Sequence, residues 1–228
     1  IEMINRYMKN VLIFTVMLIF LIKKCFSNDA HVNLISLLEM NYPLEFTFEQ
    51  KYNDDKISGW MVIAGNGMAR TEFAPPNNNL IVADGKWIMF YDPEIDRTTY
   101  IPLDKGIFKA FLKPTALIED KIFQIKETIE NNKIIFTLNF NINNADQKIN
   151  LYFDKISKNL LGWKMHESLN DFIEVKIINH KKFTTDNKKL LNEIFKLTES
   201  KSNIGMQYYG PYNGRKVKKF LGGGKLNQ

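Results

Sequence analysis

The spacing of apolar residues changes along this chain, and each change marks a predicted element. From residue 31 to residue 40 the apolar side chains recur every three or four positions, which predicts a short amphipathic helix. Asn28 or Asp29 is placed to cap this helix, and Pro43 ends it. From Leu44 onward apolar and polar residues alternate, which is the pattern of a strand with one buried face.

Strand patterns then follow one another, separated by turn signals such as Asp84-Gly85 and Asn131-Asn132. After the strand at Leu44, they cover Ile57–Ala64, Met68–Phe73, Leu80–Ala83, Trp87–Tyr91, Thr98–Ile101, Ile122–Ile129, Lys133–Asn141, Lys148–Asp154, Leu160–Glu167 and Phe172–Asn179. Between Lys105 and Asp120 helical spacing returns, and Pro114 divides this insert into two short pieces. The fold is therefore predicted to be mainly β (α+β), a long antiparallel sheet that curls beneath helical covers.

The predicted strand Trp87–Tyr91 contains no polar side chain other than the tyrosine hydroxyl, which indicates burial on both faces. Trp87, Met89 and Tyr91 share one face, whereas Ile88 and Phe90 share the other. Such a strand suits either ordinary core packing or a broad apolar binding wall. Taken alone, the strand favours core packing.

The first thirty residues have the features of a secretory signal peptide. Arg6 and Lys9 form a basic start, and the uncharged run from Val11 to Ile22 is too short to span a bilayer. We expect export with cleavage of residues 1–30; an uncleaved anchor and a lipidated Cys25 are the alternatives. Because Cys25 is the only cysteine, the mature chain would contain no disulfide.

A folded domain is then predicted over residues 31–198, followed by a basic tail over residues 199–228. Arg215, Lys216, Lys218 and Lys219 lie close together in this tail, and the whole chain has a net charge of +6. The composition is typical of a solvated, flexible segment. Contact with anionic lipid headgroups is the alternative, since each basic residue near such a surface contributes about 1 kcal/mol.

The residue types that carry catalysis or bind metals do not form recognisable motifs. The histidines at positions 31, 166 and 180 lack metal-ligand spacing, and no serine lies in a nucleophile elbow. The carboxylates of Asp92 and Glu94 belong to a predicted turn. The sequence therefore favours a binding protein over an enzyme, and it predicts neither a cofactor nor a metal site.

A series of short motifs runs in a distinctive order along most of the chain. They are Phe46-x-Phe48-x-Gln50, Gly59-Trp60, Arg70-x-Glu72-Phe73-x-Pro75-Pro76, Ile81-Val82-x-Asp84-Gly85-Lys86-Trp87, Tyr91-Asp92, Leu161-x-Trp163-x-Met165, Phe172-x-Glu174-Val175 and Leu191-x-x-x-Phe195. Together they resemble the outer-membrane lipoprotein carrier proteins, the LolA-type periplasmic chaperones of Gram-negative bacteria. The resemblance covers residues 31 to 198.

The resemblance implies an incomplete antiparallel β-barrel of about eleven strands, with helices covering a hydrophobic cavity. It also implies a periplasmic carrier that accepts acylated lipoproteins from an inner-membrane lipoprotein-releasing ABC transporter. The carrier takes them towards the outer membrane, where in many relatives an outer-membrane receptor receives the cargo. We expect such a shuttle to be a monomer and to bind no nucleic acid.

The resemblance identifies candidate residues for the cavity and for its helical lid. The wall is predicted to contain Trp60, Phe73, Ile81, Trp87, Met89 and Tyr91. The lid is predicted to contain Leu34, Leu37, Leu38, Phe108, Phe111 and Leu112, of which the last three would plug the cavity until lipid displaces them. For each of these residues, ordinary core packing is the competing interpretation.

One position departs from the family pattern. Many members carry Arg-Pro ahead of the strand that ends in Pro-Pro, and that arginine is thought to latch the lid. Here the aligned residues are Gly65 and Asn66. Arg70 is the candidate latch, but on a regular strand its offset from this position points it to the opposite face. Either a bulge at the glycines rotates Arg70 back, or the lid is held differently.

Three other functions stay open on the sequence alone. A related half-barrel that senses lipid or lipopeptide in the cell envelope is the main alternative. A lipid hydrolase or transferase would need a polar constellation inside the cavity. A structural envelope protein would have a filled core instead of a cavity.

Overall fold

A computed structural model describes residues 29–52, 54–104, 106–119, 122–142, 145–166, 172–184, 194–196, 205–208 and 218–221. The predicted signal peptide lies outside these residues except at positions 29 and 30, which are helical, so it stays a prediction. No helix within the described ranges is both long enough and apolar enough to cross a membrane.

The elements follow the order expected from the sequence. The helices are α1 (29–41), α2 (Gly106–Leu112) and α3 (Ala116–Glu119). The strands are β1 (Leu44–Tyr52), β2 (Asp55–Gly65), β3 (Met68–Phe73), β4 (Leu80–Asp84), β5 (Trp87–Asp92), β6 (Arg97–Pro102), β7 (Gln124–Glu130), β8 (Lys133–Ile142), β9 (Ala145–Asp154), β10 (Leu160–His166), β11 (Phe172–Lys182), β12 (Gly205–Tyr208) and β13 (Lys218–Leu221). Strands β12 and β13 pair with each other within the predicted tail, whose flexibility stays a prediction.

Eleven strands form one antiparallel sheet with the order β6-β5-β4-β3-β2-β1-β11-β10-β9-β8-β7. Strands β6 and β7 are its two edges, so the curved sheet does not close into a barrel. Strand β1 joins the halves by pairing with both β2 and β11. The predicted fold class, a mainly β, incomplete antiparallel barrel of eleven strands with few helices, is confirmed.

Alternate residues of each strand point to an inner face, on which the helices pack. On β1 these residues are Leu44, Phe46 and Phe48, all of which are buried, as the alternation of apolar and polar residues predicts. Leu34 and Leu38 of α1 are fully buried and belong to the same hydrophobic core. The inner face therefore carries the main core of the domain.

Helix α1 is fixed to the sheet at its carboxyl end by one amide side chain. Asn41 donates to the carbonyl oxygens of Leu37 at 2.7 Å and Lys158 at 3.0 Å. Its own side-chain oxygen accepts a hydrogen bond from the backbone N–H of Leu160 at 2.9 Å. These hydrogen bonds tie the end of α1 to the turn that precedes β10.

Candidate functional site

A cavity of about 290 Å³ lies between the inner face of the sheet and helix α2. Its lining residues are Phe48, Gln50, Met61, Ala69, Thr71, Phe73, Ile81, Ala83, Ile88, Ile107, Phe108, Phe111, Leu112, Ile149, Trp163, Met165, Ile173 and Val175. Gln50 and Thr71 supply the polar side chains of this otherwise apolar lining. The volume is near the lower end of the roughly 300–1,000 Å³ usual for ligand sites, and the chemistry suits an aliphatic ligand.

Small side chains create part of this space. Ala69 on β3 and Ala83 on β4 are register partners, and both line the cavity. Ile88 on β5 lies opposite Ala83 and also faces inward. Larger side chains at the two alanine positions would extend into the space beneath α2 and fill it, because protein cores pack closely.

Helix α2 covers the cavity with its apolar side chains. The ring of Phe111 lies 5.2 Å from the ring of Trp163 on β10 and 6.3 Å from the ring of Tyr42, measured between centroids. Leu112 is buried, whereas Phe108 is 48% exposed although it also lines the cavity. Phe111 and Leu112 therefore contact the core, and Phe108 lies at the rim.

The carboxyl end of α2 is held to the sheet by three hydrogen bonds. The hydroxyl of Tyr42 donates to the carbonyl oxygen of Phe111 at 2.7 Å. The backbone N–H of Gly67 donates to the carbonyl oxygen of Leu112 at 2.9 Å, and the Lys113 ammonium donates to the carbonyl oxygen of Gly85 at 2.7 Å. Because the last carbonyls of a helix have no partner within the helix, the bonds from Tyr42 and Gly67 cap α2, and all three bonds fasten its carboxyl end.

Burial keeps the Tyr42 hydroxyl protonated, so that it can donate a hydrogen bond. The side chain is enclosed between α1, β1 and Phe111, and burial raises the pKa of the hydroxyl well above its ordinary value. The hydroxyl is therefore protonated at every pH at which the fold is expected to exist, so this fastening does not depend on pH.

Replacing Tyr42 with phenylalanine tests this hydrogen bond, because it removes only the hydroxyl. We expect the Tyr42→Phe protein to lose about 1 kcal/mol of lid closure and to show faster amide hydrogen exchange in α2. Protection of α1 should be unchanged, since Asn41 still anchors that helix. Unchanged exchange in α2 would contradict a role for the hydroxyl in holding the lid.

Arg70 does not latch the lid, and the sequence-based candidate is wrong. It lies on the outer face of β3, the face opposite the cavity, as its position in a regular strand predicts. Its guanidinium forms a buried ion pair with Glu72 at 2.7 Å and donates to the carbonyl oxygen of Ile194 at 2.9 Å. Arg70 therefore holds the segment at residues 194–196 against the sheet.

Removing the charge of Arg70 should destabilise the fold without freeing the lid. In Arg70→Leu the buried Glu72 carboxylate loses its guanidinium partner, and we expect a loss of roughly 3–5 kcal/mol in urea unfolding. The double variant Arg70→Leu/Glu72→Leu should recover part of that loss, because it buries no unpaired charge. A faster exchange confined to α2 in either variant would instead restore Arg70 as the latch.

Two of the six predicted wall residues, Phe73 and Ile81, line the cavity, whereas four face the other way. Trp60 packs on the outer face with Val62, Ile194 and Phe195. Met89 and Tyr91 form a separate outer cluster with Leu80 and Val82, and Trp87 is 45% exposed on the same face. The prediction that Trp60, Trp87, Met89 and Tyr91 form the wall is wrong, because Ile88 is the residue of β5 that faces the cavity.

The predicted lid residues all lie on the inner side. Phe108, Phe111 and Leu112 line the cavity, while Leu34 and Leu38 are buried in the core and Leu37 packs against it. That lipid displaces the first three stays a prediction.

The wall residues that come from the later strands were not predicted from the sequence. These residues are Ile149, Trp163, Met165, Ile173 and Val175, on β9, β10 and β11. The motif Leu161-x-Trp163-x-Met165 carried the signal, since its large residues recur with the period of a strand. The glycines of the turn Gly65-Asn66-Gly67 were also evident in the sequence, but the contact of this turn with α2 could not be predicted from it.

Comparisons with known proteins give one family match and several similar structures. The family model described as "Outer membrane lipoprotein carrier protein LolA" matches residues 43–198. Curated proteins yield no match. Among solved structures, an uncharacterized conserved protein from Thermus thermophilus is 11% identical over 73% of this chain and 93% of its own, with a TM-score of 0.47.

Two further structures are similar at lower scores. A LolA superfamily protein from Nitrosomonas europaea is 10% identical over 71% of this chain and 96% of its own, with a TM-score of 0.38. A chain of the Pseudomonas aeruginosa MucA/MucB complex is 14% identical over 72% of this chain and 60% of its own, with a TM-score of 0.40. Since the family model spans more than half of the 228 residues, this chain belongs to the outer membrane lipoprotein carrier protein LolA family.

Proposed function

We propose that this protein carries acylated lipoproteins through the periplasm by enclosing their acyl chains in the cavity beneath α2. The observation that supports the proposal most strongly is the apolar cavity itself, covered by a short helix. A structural protein would instead be expected to have a filled core without such a cavity. The family membership agrees with a binding role and not with an enzymatic one.

Moving the acyl chain out of water into the apolar cavity supplies the driving force for loading. Each buried CH₂ group contributes about 0.8 kcal/mol, so a long chain gains many kcal/mol even when it is only partly covered. The cavity of about 290 Å³ exists with the lid closed. A long chain therefore enters fully only when Phe111 and Leu112 move out of its way.

Displacement of the lid limits the affinity, and this limit makes release feasible. Loading breaks the contact of Phe111 with Trp163 and the hydrogen bonds at the carboxyl end of α2. The net affinity is the gain from acyl burial minus the cost of opening. A carrier needs this difference to be small enough for the next protein to take the cargo.

The partners follow from this role. We propose that loading occurs at an inner-membrane lipoprotein-releasing ABC transporter and that unloading occurs at the outer membrane, through a receptor where one exists. A monomer suits such a shuttle. In these steps the protein supplies only binding and release, so no covalent chemistry is required of it.

Native mass spectrometry of the protein purified from a lipoprotein-producing Gram-negative cell tests the proposal. We expect a bound population whose added mass equals that of a lipoprotein or an acylated peptide. Transfer of that cargo to acceptor vesicles would distinguish a carrier from a lipid-sensing half-barrel, which binds without delivering. A protein that neither retains an acyl ligand nor binds an added N-palmitoyl peptide would contradict the proposal.

A further inference from the structure

A second recess, of about 600 Å³, opens beside the apolar cavity at the ends of β1, β4, β5 and β6. Gln50, Phe73 and Ile81 line both spaces, so the two are adjacent. A ligand whose tail lies in the cavity and whose polar end leaves it past these three side chains would enter this recess.

The recess differs from the cavity in chemistry. Its polar lining consists of three carboxamides, two hydroxyls, one carboxylate and one guanidinium, namely Gln50, Asn77, Asn79, Thr99, Tyr91, Asp92 and Arg97. Asp92 and Arg97 are register partners on β5 and β6, so the two charges are adjacent and balance. A phosphate site would require an excess of basic groups, whereas carboxamides both donate and accept, as a peptide backbone requires.

Gln50 lies where the two environments meet. It continues the inner row of β1 after Leu44, Phe46 and Phe48, so it is the polar end of an apolar row. Its side chain is half-buried, and within the described residues it makes no hydrogen bond to the protein. Its amide is therefore free to donate to a carbonyl group at the point where an acyl chain joins its head.

We propose that this recess is the subsite for the peptide portion of an N-acylated lipopeptide, and that Gln50 donates to the carbonyl oxygen of the acyl linkage. The inference rests on the proposed function and adds the place of the peptide portion and the side chains that bind it. Asn77 and Asn79 bind the backbone of the residues after the acylated one.

Binding of three probes separates the parts of this proposal. The probes are an N-palmitoyl tetrapeptide amide, palmitic acid and phosphatidylglycerol in mixed micelles. We expect the wild-type protein to prefer the lipopeptide to phosphatidylglycerol. Replacing Asn77 and Asn79 with alanine should weaken lipopeptide binding by about fivefold, the equivalent of one net hydrogen bond, and leave palmitic acid unaffected.

Gln50→Met should weaken lipopeptide binding by a similar factor of about fivefold. The matched control is Gln147→Met on β9, because Gln147 is also half-buried and on the inner face but lines neither space. That control should bind all three probes as the wild type does. Circular dichroism and urea unfolding verify that each variant folds.

Four results would overturn the inference. Equal losses for lipopeptide and palmitic acid in the asparagine variant would mean that the recess does not contact the head. A preference for phosphatidylglycerol would mean that the recess favours an anionic phospholipid headgroup over a peptide. If no acyl probe binds the wild type, the proposed function fails and the inference falls with it, whereas acyl binding that is insensitive to Gln50 removes only the inference.

Discussion

Replacing Gly67 with alanine is expected to push the lid away from the sheet. A Cβ atom at this position would lie 2.6 Å from Lys113 Cε, 2.8 Å from Gly85 Cα and 2.9 Å from Leu103 Cδ2. The backbone also has a φ of +83°, which side chains rarely adopt. Because Gly85 contributes backbone, the turn must move, and the hydrogen bond from the Gly67 N–H to Leu112 moves with it.

Gly65→Ala is the matched control for this variant. Gly65 lies in the same turn with a φ of +84°, but the nearest atom to its added Cβ is Tyr42 Cβ at 4.0 Å. It therefore has the backbone strain of Gly67→Ala without the collision. We expect a loss of about 1 kcal/mol for Gly65→Ala and roughly 2–4 kcal/mol for Gly67→Ala in urea unfolding.

The two variants should also differ in ligand binding. With the lid partly released, Gly67→Ala should bind a fluorescent acyl probe more tightly than the wild type per folded molecule, whereas Gly65→Ala should not. Lys113→Met, which removes only the donor to Gly85, provides the same test if Gly67→Ala does not fold. Equal binding by both glycine variants would contradict the role of this turn as the fastening of the lid.

Replacing Phe111 with alanine is the second change with a large expected effect. The variant loses ring contacts with Trp163 and Tyr42 and leaves unfilled space beneath α2. A truncation of this kind in a core costs about 3–5 kcal/mol, and about 2 kcal/mol is reasonable for a half-buried ring. Since that energy favours the closed lid, losing it should tighten acyl binding by roughly tenfold or more while lowering the stability of the free protein.

Phe108→Ala on the same helix is the control for Phe111→Ala. Phe108 is 48% exposed at the rim, so its removal should change both quantities far less. The measurements are the dissociation constant for a fluorescent lipid analogue and urea unfolding without ligand. If Phe111→Ala leaves both the affinity and the stability in urea unchanged, Phe111 is not part of the lid mechanism.

The order of strands and helices was predictable because local signals determine it. Alternation in β1, the Asp84-Gly85 turn and the division of the helical insert at Pro114 each depend on neighbours in sequence. In the structure, the Asp84 side chain accepts hydrogen bonds from the backbone N–H groups of Lys86 and Trp87, which is the local turn chemistry that the sequence indicates.

The sequence of β5 did not predict which face of the sheet carries the cavity. Periodicity separates Trp87, Met89 and Tyr91 from Ile88 and Phe90, but it does not say which group faces inward. The group with the larger side chains was assigned to the wall, whereas Ile88, from the other group, lines the cavity. Ala69 and Ala83 leave space because they are small, and size alone does not distinguish them from alanines in a packed core.

The way in which the lid is held depends on contacts that are distant in sequence. Tyr42 and Phe111 are 69 positions apart, and Lys113 and Gly85 are 28 apart. The sequence left open whether Arg70 points to the lid or to the opposite face, and the buried pair with Glu72 lies on the outer face. What replaces the arginine is two side-chain donors and one backbone N–H, all bound to backbone carbonyls, and a carbonyl acceptor leaves no mark in the side-chain sequence.

Tryptophan quenching tests most directly whether acyl chains occupy the cavity beneath α2. The chain has three tryptophans: Trp163 lines the cavity, whereas Trp60 and Trp87 lie on the outer face. Variants that keep one tryptophan and replace the others with phenylalanine can be titrated with an N-acyl peptide brominated along its chain. Strong quenching of Trp163 with little quenching of Trp60 or Trp87 is the predicted result. Quenching of Trp87 or Trp60 while Trp163 is unaffected would place the ligand on the outer face and contradict the account.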